Sequence, residues 1–583
     1  MLLTTDTGSR CWDLPMHCGR ILSACTCPLK KNGEFSQTES RHLSICLRCP
    51  GMANGGGMDG KKTDWVAKLS AVSTTISDTE FTEFISERSK YLLSVANHVP
   101  KHQLHFGALT RPLLGRLMLQ AIEIHELLDA YGAKNNQRWR RFRHWVTTIR
   151  VFADVGYELL HIQHALPGYR LVRIEGDFLD ATEEALAYVC TIVLEASIRI
   201  LEEATDLGLD IPQDPTPVEV YEEALPPGRL PHDVETRKID NVYETVTLLA
   251  TAFLNLSEET RGLRGVRMPE VDDCCHFKSD VVNQETLCNL EDQFHNLQSL
   301  YDTYVCDTEV EDVDSDLMVL RGHISVAMHL LSVGCSLAGY FQRYVHVPKE
   351  GSADSLNSLI RADELLQVLI RYAIGYTVVY TVAARDLCQS MLKRYVEETA
   401  IDVSIPVYRG FHVRPSTLAA SIAQHYGTDV RMELGDETVN VAIPLELFRI
   451  NEKINAQKRR FLAERIAQLN LAGECGSPEF MRTQIQEALL NLAQEGLIVI
   501  YEQPLDLTED AGSEDDILQK CTVNEVRRLL AHGKIDIRLD MTVKIIGDRR
   551  VLEDLRLLAD AGYGEDQYGN NIPLPEKLSY LRR

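Results

Sequence analysis

The sequence predicts a mostly α-helical protein with a small α+β domain near its C-terminus. Before residue 400, apolar residues recur every three to four positions, and the alternation expected of strands is scarce. One apolar stripe contains Leu113, Leu117 and Ile124, and another contains Val189 and Val193. After residue 400 several short segments alternate with a period of two, which indicates strands between helices. The N-terminal part is therefore expected to be a helical bundle stabilised by packing of its apolar stripes.

The composition is that of an ordinary globular protein. Of 583 residues, 45% are hydrophobic and 25% are charged, which excludes a wholly disordered chain, a collagen-like fibre and a multi-span membrane protein. The 85 acidic residues outnumber the 60 basic ones, so the formal net charge is −25. Because such a surface repels phosphate backbones and anionic lipid, we expect no nucleic-acid partner. We also expect no membrane span, since the best apolar windows, 323–341 and 372–384, are interrupted or short and are typical of buried core helices.

Six of the 15 cysteines lie in the first 50 residues. The remaining ones, such as Cys190, Cys335 and Cys388, are scattered through apolar helical patterns, where cysteine usually acts as a small hydrophobe. Their spacing suggests no disulfide framework, which fits a reducing, cytoplasmic compartment. The N-terminal cysteines leave two interpretations open. Residues 25–27 and 46–49 could supply four thiolates to zinc, or the stretch upstream of Met52 or Met58 is disordered or mispredicted.

Changes of pattern divide the chain into seven segments. Six prolines between residues 212 and 231 mark a connector, and an acidic stretch at 307–316 indicates a solvated turn within the second helical part. The predicted segments are a disordered or mispredicted tail (1–63), a helical bundle (64–211), a Pro-rich linker (212–232), a second helical block (233–400), an α+β domain in two pieces (401–448 and 537–566), a mainly helical insertion (449–536) and a C-terminal tail (567–583).

The α+β domain is predicted from short elements on both sides of the insertion. A turn at Gly435-Asp436 joins two alternating runs into a hairpin. The predicted strands are 402–408, 429–434, 438–443, 497–501 and 541–546, and the predicted helices after residue 350 are 358–399, 415–425, 445–471, 481–494, 523–531 and 549–561.

One heptapeptide, Gly-Phe-His-Val-Arg-Pro-Ser at 410–416, has the residue types that phosphoryl transfer needs. It joins a predicted strand to a predicted helix, so His412 is expected beside the unpaired amides and the positive dipole end of that helix. Arg414 adds a cation whose donors match phosphate oxygens, and Gly410 permits a tight backbone approach. Pro415 costs nothing in a first helical turn. Together these residues could make a nucleophilic imidazole that accepts and passes on a phosphoryl group. The alternative is a histidine that only caps a helix.

This heptapeptide and its strand–helix setting resemble HPr, the histidine-phosphorylated carrier of the bacterial phosphotransferase system, whose pattern is Gly-x-His-x-Arg-Pro and then a small residue. The resemblance continues through the hairpin and resumes after the insertion, in strand 541–546, helix 549–561 and the ending Ala-Gly-Tyr-Gly-Glu at 561–565. It covers roughly 80 residues and implies an open-faced α+β sandwich interrupted by a helical insertion. Such an insertion is tolerable because the entropy cost of closing a loop grows only slowly with its length.

The resemblance implies roles for individual residues. His412 would be phosphorylated, Arg414 would stabilise the phosphate, and the amides of Ser416 and Thr417 would be donors at the helix start. Two positions depart from the family: Arg409 replaces an asparagine, and Ile443 occupies the place of a regulatory serine. The implied partners are an enzyme-I-like donor that uses phosphoenolpyruvate and acceptor or regulatory proteins. No cofactor and no metal are expected.

The other motifs are interpreted as structural. His161 and His164, with Glu158 one turn earlier, could chelate a metal, but polar positions on a helix are the simpler interpretation. The cation–aromatic run 138–145 places Trp139, Phe142 and Trp145 on a core stripe, and the compact Cys-Cys-His at 274–276 is taken as structural.

The sequence thus predicts an HPr-like phosphocarrier or phosphorylation-dependent regulator that accepts a phosphoryl group on His412 and turns over no metabolite itself. The alternative is a helical scaffold or signalling adaptor in which the HPr-like fold is a docking module. A third possibility is an enzyme whose site is assembled from distant residues of the helical region, although no catalytic set is visible there.

Overall fold

The computed structural model describes residues 75–102, 109–213, 221, 230–231, 241–306, 308–345, 359–469, 478–501, 504–505, 507 and 518–582. The predicted tail (1–63), its cysteines and most of the Pro-rich linker lie outside these residues. The described residues fall into two compact units, one within 1–150 and 193–222, the other within 151–192 and 223–583. As the sequence predicts, the chain is mostly helical and carries a small antiparallel sheet in its C-terminal region.

The first unit is built from helices alone in its described residues. Trp139 and Phe142 are fully buried, and Trp145 is nearly so, which confirms the predicted core stripe. Arg143 lies on the same helix and is buried against the Asp129 carboxylate of a neighbouring helix. The helices that contribute are α1 (Asp78–His102), α2 (Arg111–Ala130), the first part of α3 (Arg140–Ala165) and the last part of α4 (Phe178–Leu207).

The helical part of the second unit contains two long apolar helical stretches that contact each other. Its helices are the remainders of α3 and α4, α5 (Val242–Glu259), α6 (Gln284–Tyr304), α7 (Val310–Val313), α8 (Asp316–Tyr340), which continues as a π-helical turn (Phe341–Val345), α9 (Ala362–Leu366), a π-helical segment (Gln367–Ile374) and α10 (Gly375–Arg394).

Two of these stretches, Asp316–Val345 and Ala362–Arg394, are long and apolar enough to cross a membrane by length and composition. Their most apolar windows are 89% and 61% buried inside the protein. Core helices of globular proteins pass the same test, so the expectation of no membrane span stays a prediction.

Two expectations for this part are corrected. Cys335 on α8 is bonded to Cys288 on α6 in a disulfide, so it is not simply a small hydrophobe. The acidic stretch near 307–316 is not a fully solvated turn, because Asp314 is buried and accepts hydrogen bonds from the Arg394 guanidinium and the Tyr395 hydroxyl. A buried carboxylate needs such partners, and Arg394 and Tyr395 supply them at the end of α10.

The sheet brings the two pieces of the interrupted domain together. Its strands are β1 (Glu398–Ser404), β2 (Val430–Leu434), β3 (Glu437–Asn440) and β6 (Thr542–Asp548). Their order is β1-β6-β2-β3 with every neighbouring pair antiparallel, so β6 lies between strands that precede the insertion. The accompanying helices are α11 (Val413–Tyr426), α12 (Pro444–Gln468) and α15 (Arg549–Asp560).

Strand β1 begins four residues before the predicted one and ends at Ser404. Ile401 and Val403 alternate inward in it, and the Ile405 amide still bonds the Met541 carbonyl. Pro406 then has no amide to donate, so the chain leaves the sheet there.

The insertion has a core of its own. Helices α13 (Pro478–Gln494) and α14 (Leu518–Ala531) pack with a two-stranded antiparallel sheet of β4 (Ile498–Ile500) and β5 (Ile535–Ile537). Both helices end identically, because Gly496 and Gly533 take positive φ values of 73° and 67° and the next amide bonds back five residues. Strand β5 was not predicted from the sequence.

The last turn of α11 rests on the helical block. The His425 ring is buried, its Nε2 atom is 2.9 Å from Asn255 Oδ1, and it stacks on Tyr580. Burial, together with the nearby Arg385 cation, lowers the pKa of His425 to about 3.

We expect His425 to make folding acid-sensitive. Because its pKa is about 3 in the folded protein and 6.5 unperturbed, the unfolded chain binds the extra proton between these values. Its contribution to stability is complete above pH 6.5 and is lost as the pH falls toward 3, at about 1.4 kcal/mol per pH unit. Urea unfolding from pH 7 to pH 4 should show a shallower loss for His425→Gln than for wild type. Parallel curves would contradict this assignment.

Candidate functional site

His412 is the residue immediately before helix α11, at the end of the loop that leaves β1. Its backbone is extended, with φ −77° and ψ −167°, and its side chain does not cap the helix. Instead, the ring Nε2 lies 2.8 Å from Oε2 of Glu565, which follows α15 at the far end of the interrupted domain. A quarter of the His412 side chain is exposed, against 7% of the Glu565 side chain. The capping interpretation is therefore not the one that the geometry favours.

The Glu565 carboxylate determines which ring nitrogen of His412 is available. An ionised carboxylate only accepts hydrogen bonds, so Nε2 must carry the proton that lies between them. In the neutral ring the lone pair is then on Nδ1. Among the described residues, Nδ1 has no hydrogen-bond partner. When the ring is neutral, the arrangement therefore presents Nδ1 as a free nucleophilic nitrogen at the start of a helix.

Arg414 lies on the other side of the same carboxylate. Its Nε atom is 3.9 Å from Oε1 of Glu565, and its guanidinium lies against the backbone of Gly564. That Nε is buried and has no hydrogen-bond partner among the described residues. A buried donor without an acceptor costs free energy, which an anionic ligand beside His412 would recover.

The helix start differs in detail from the predicted one. Helix α11 begins at Val413, and the Ser416 amide already donates to the His412 carbonyl at 3.1 Å. The Ser416 hydroxyl is buried and bonds the Phe411 carbonyl, and the Thr417 hydroxyl bonds the Val413 carbonyl. The Ser416 amide is therefore already engaged within the helix, which departs from its predicted role as a donor to phosphate, and the role of the Thr417 amide stays a prediction.

The amides without an acceptor in the helix belong to Val413 and Arg414. Pro415 is the third helical residue, where its missing amide removes a donor that would have had no intrahelical acceptor. The two remaining donors and the dipole make this end of α11 favourable for negative charge.

A residue of the insertion fixes the loop before His412. Gly410 has φ +62°, and a Cβ there would clash with Oδ1 of Asn451 on α12. That oxygen accepts the Phe411 amide at 2.9 Å, while the Asn451 Nδ2 donates to the Arg409 carbonyl at 3.1 Å. Gly410 is thus required by close approach of Asn451 as well as by its own conformation.

Aromatic side chains border the imidazole. The Tyr408 ring meets the His412 ring edge-on with centroids 5.4 Å apart, and Gly569 lies directly against Tyr408. Tyr501 of the insertion packs on the other side of Tyr408 at 5.5 Å. Tyr408 therefore contacts the histidine ring and is itself contacted by the C-terminal extension and by the insertion.

Sequence reasoning singled out His412, Arg414 and Gly410, which the structure brings together with Glu565 and Asn451. In the sequence, Glu565 is recognised only as part of the domain ending. Its carboxylate was the available signal, because the end of the domain can fold back beside the histidine. Nothing in the sequence pointed to Asn451, which is 40 residues from its hydrogen-bond partner Phe411.

The other candidates do not assemble a metal site in the described residues, where no cluster of three or more His, Cys, Asp or Glu side chains suits a metal ion. Glu158 pairs with His329 of α8 at 2.7 Å, and the ring of His161 lies against that of His329. The proposed zinc ligands at 25–27 and 46–49 lie outside the described residues.

Comparison with known proteins returns no relative: no protein-family model, curated protein or solved structure matches this chain.

We expect Gly410→Ala to destabilise the protein by about 2–4 kcal/mol. The methyl group would force a strained positive φ and displace Asn451 from two hydrogen bonds. Gly435→Ala is the matched control, because Gly435 has φ +61° with nothing within 4 Å of its Cβ position, so it should cost only about 1 kcal/mol. The free energy of unfolding in urea measures both. Equal losses would mean that Asn451 does not hold this loop.

Proposed function

We propose that residues 401–448 and 537–566 form an HPr-like module that accepts a phosphoryl group on His412. The observation that carries the proposal is the Nε2–Glu565 hydrogen bond, which leaves Nδ1 as the free nitrogen at a helix start beside the Arg414 guanidinium. The antiparallel order β1-β6-β2-β3, with the His412 loop between β1 and α11, supports the open-faced sandwich that the resemblance implies.

The proposed transfer needs no group beyond the donor and the imidazole. The Nδ1 lone pair of His412 attacks phosphorus, a P–N bond forms, and the bond to the donor's phosphorylated imidazole breaks with its electron pair returning to that imidazole. The His412 ring gains positive charge while Nε2 keeps its proton. Its hydrogen bond to Glu565 thereby becomes charge-assisted on both sides, which stabilises the phosphorylated ring.

Arg414 and the helix start serve the transferred group. The buried Arg414 Nε, which has no acceptor among the described residues, gains a phosphoryl oxygen as its partner. The Val413 and Arg414 amides offer further donors at the positive end of the helix dipole. Phosphorylation adds about −1.5 to −2 charges here, which repel Glu565 and favour movement of Arg414 toward the phosphoryl group.

The module is proposed as a stoichiometric carrier or regulator in the cytoplasm, loaded by an enzyme-I-like donor protein and read by acceptor or regulatory proteins. A second candidate is a scaffold in which the HPr-like fold is a docking module. The insertion favours it, because Asn451 and Tyr501 occupy space beside the His412 loop that a general carrier would leave to its partners.

Phosphate incorporation into the full chain tests the proposal. Incubation with phosphoenolpyruvate and a bacterial phosphotransferase donor should give acid-labile, base-stable phosphate in wild type and none in His412→Ala. His295→Ala is the matched control, because His295 is an exposed histidine of α6 and should leave incorporation unchanged. Equal labelling of His412→Ala, or no labelling of wild type, would reject the phosphocarrier and leave the docking module.

We expect Glu565→Gln to slow phosphorylation about tenfold while leaving the product chemically unchanged. Glutamine can still accept the hydrogen bond from Nε2, but it lacks the negative charge that strengthens this bond as the ring becomes cationic. The transition state for transfer thereby loses about 1–1.5 kcal/mol of stabilisation. The initial rate of label incorporation measures the effect. A rate equal to that of wild type would show that the carboxylate charge does not assist the transfer.

A further inference from the structure

The insertion forms hydrogen bonds with the backbone of two of the three residues that precede the histidine, Arg409 and Phe411. The Arg409 amide donates to Oδ2 of Asp536 on β5 at 2.8 Å, and Asn451 bonds the Arg409 carbonyl and the Phe411 amide. The Arg409 guanidinium donates to the Gly533 carbonyl at 3.2 Å, at the turn that leads into β5. Most of what holds Arg409 in place therefore comes from the insertion.

Arg409 is held in a conformation that a residue with a side chain rarely adopts. Its φ is +52°, and among the described non-glycine residues only Tyr563 shares a positive φ. Left-handed conformations are disfavoured for L residues with a Cβ, so the contacts with the insertion must maintain it. Relaxation of this residue would favour its release from Asp536.

The Arg409 guanidinium is also close enough to sense charge on His412. It lies over the Tyr408 ring at 5.1 Å, and the same ring meets His412 at 5.4 Å. These distances place the guanidinium carbon within about 10.5 Å of the imidazole. An arginine three residues before the histidine has the reach to turn toward a dianion there.

Asp536 has a second cation available, because helix α12, which carries Lys458, contacts strand β5. Lys458 on α12 is 2% exposed, and its ammonium forms no hydrogen bond or ion pair with the described residues. Burial lowers the pKa of Lys458, and the Asp536 carboxylate is the nearby charge that opposes this effect. A buried cation without a partner is costly, so a change that frees Asp536 to approach it is favourable.

We propose that the insertion, residues 449–536, is the effector module of His412 and that Arg409 carries the signal to it. In the phosphorylated protein Arg409 leaves Gly533 and Asp536 for the phosphoryl group, and Asp536 turns to Lys458. This inference rests on the proposed phosphorylation of His412 and adds to it an intramolecular reader. The switch has two discrete arrangements of Asp536, which a phosphate on His412 biases by its interaction with Arg409.

The test uses the full chain and phosphoramidate, a small-molecule donor whose P–N bond breaks with release of ammonia as the bond to Nδ1 forms. Hydrogen exchange followed by mass spectrometry compares the phosphorylated and unmodified proteins over peptides 405–412 and 533–540. We expect exchange in both peptides to accelerate about tenfold on phosphorylation, because the Arg409 amide loses Asp536 and the start of β5 loses Arg409.

Arg409→Asn is the informative variant, since asparagine tolerates a positive φ and keeps the backbone bonds but has no guanidinium. It should still incorporate phosphate and should lose the change in exchange at 533–540. Arg549→Asn is the control, because Arg549 is an exposed arginine that pairs with Glu397 and Glu553, and it should respond as wild type does.

The outcomes separate the two proposals. Phosphate on His412 without any change at 533–540 overturns the effector inference and leaves the phosphocarrier intact. An unchanged response in Arg409→Asn overturns the role of Arg409. Absence of phosphate at His412 rejects the phosphocarrier and this inference with it.

Lys458→Met provides an independent measurement that needs no phosphate. Methionine preserves most of the side-chain length and removes the buried charge, so we expect protection of peptide 533–540 in the unmodified protein to rise about tenfold. Phosphorylation of this variant should then produce little further change. Lower protection than in wild type would show that the ammonium already has a stabilising partner, and would overturn the proposed exchange of partners by Asp536.

Discussion

The hydrogen bond between His412 and Glu565 joins two positions 153 residues apart, and the candidate site exists only because the fold closes that distance. Three features must agree for it to form. Strand β6 must enter the sheet between β1 and β2, α15 must end where Glu565 can turn back, and α11 must begin directly after the histidine. The bond is therefore as much a product of the sheet topology as a feature of the loop.

The insertion is compatible with that closure because it satisfies its own folding requirements. Lengthening a connection costs little closure entropy, and the inserted residues bury a separate apolar cluster. Helix α12 belongs to both parts: Leu447 and Ile450 lie in its first half, whereas Leu462 and Ile466 lie in its second half, within the cluster of the insertion. Asn451 and Lys458 lie on this same continuous helix, between Ile450 and Leu462. The His412 loop and the insertion are therefore mechanically linked.

The sequence predicted the elements of this region well and their contacts poorly. Periodicity located helices α11, α12, α13 and α15 and the hairpin, since each has several apolar residues in register. Strand β5 was not predicted because it has only three residues, of which Ile535 and Ile537 are apolar. So short a strand shows too little alternation to be recognised. Glu565, Asn451 and Asp536 could not be assigned because their roles arise from tertiary contacts across 40 to 153 residues, which local patterns do not encode.

Electrostatic magnitudes decide whether a signal can pass from His412 to the insertion. At 10 Å a dianion attracts a guanidinium by about 1 kcal/mol if the medium is as polar as water and by about 3 kcal/mol at an effective dielectric of 20. Against this stand two charge-assisted bonds, one from the Arg409 amide to the Asp536 carboxylate and one from the Arg409 guanidinium to the Gly533 carbonyl, together about 3–6 kcal/mol. Relief of the positive φ of Arg409 and pairing of Lys458 with Asp536 both add to the favourable side. The opposing contributions are therefore of similar size, which is the condition under which a single phosphoryl group can reverse the balance.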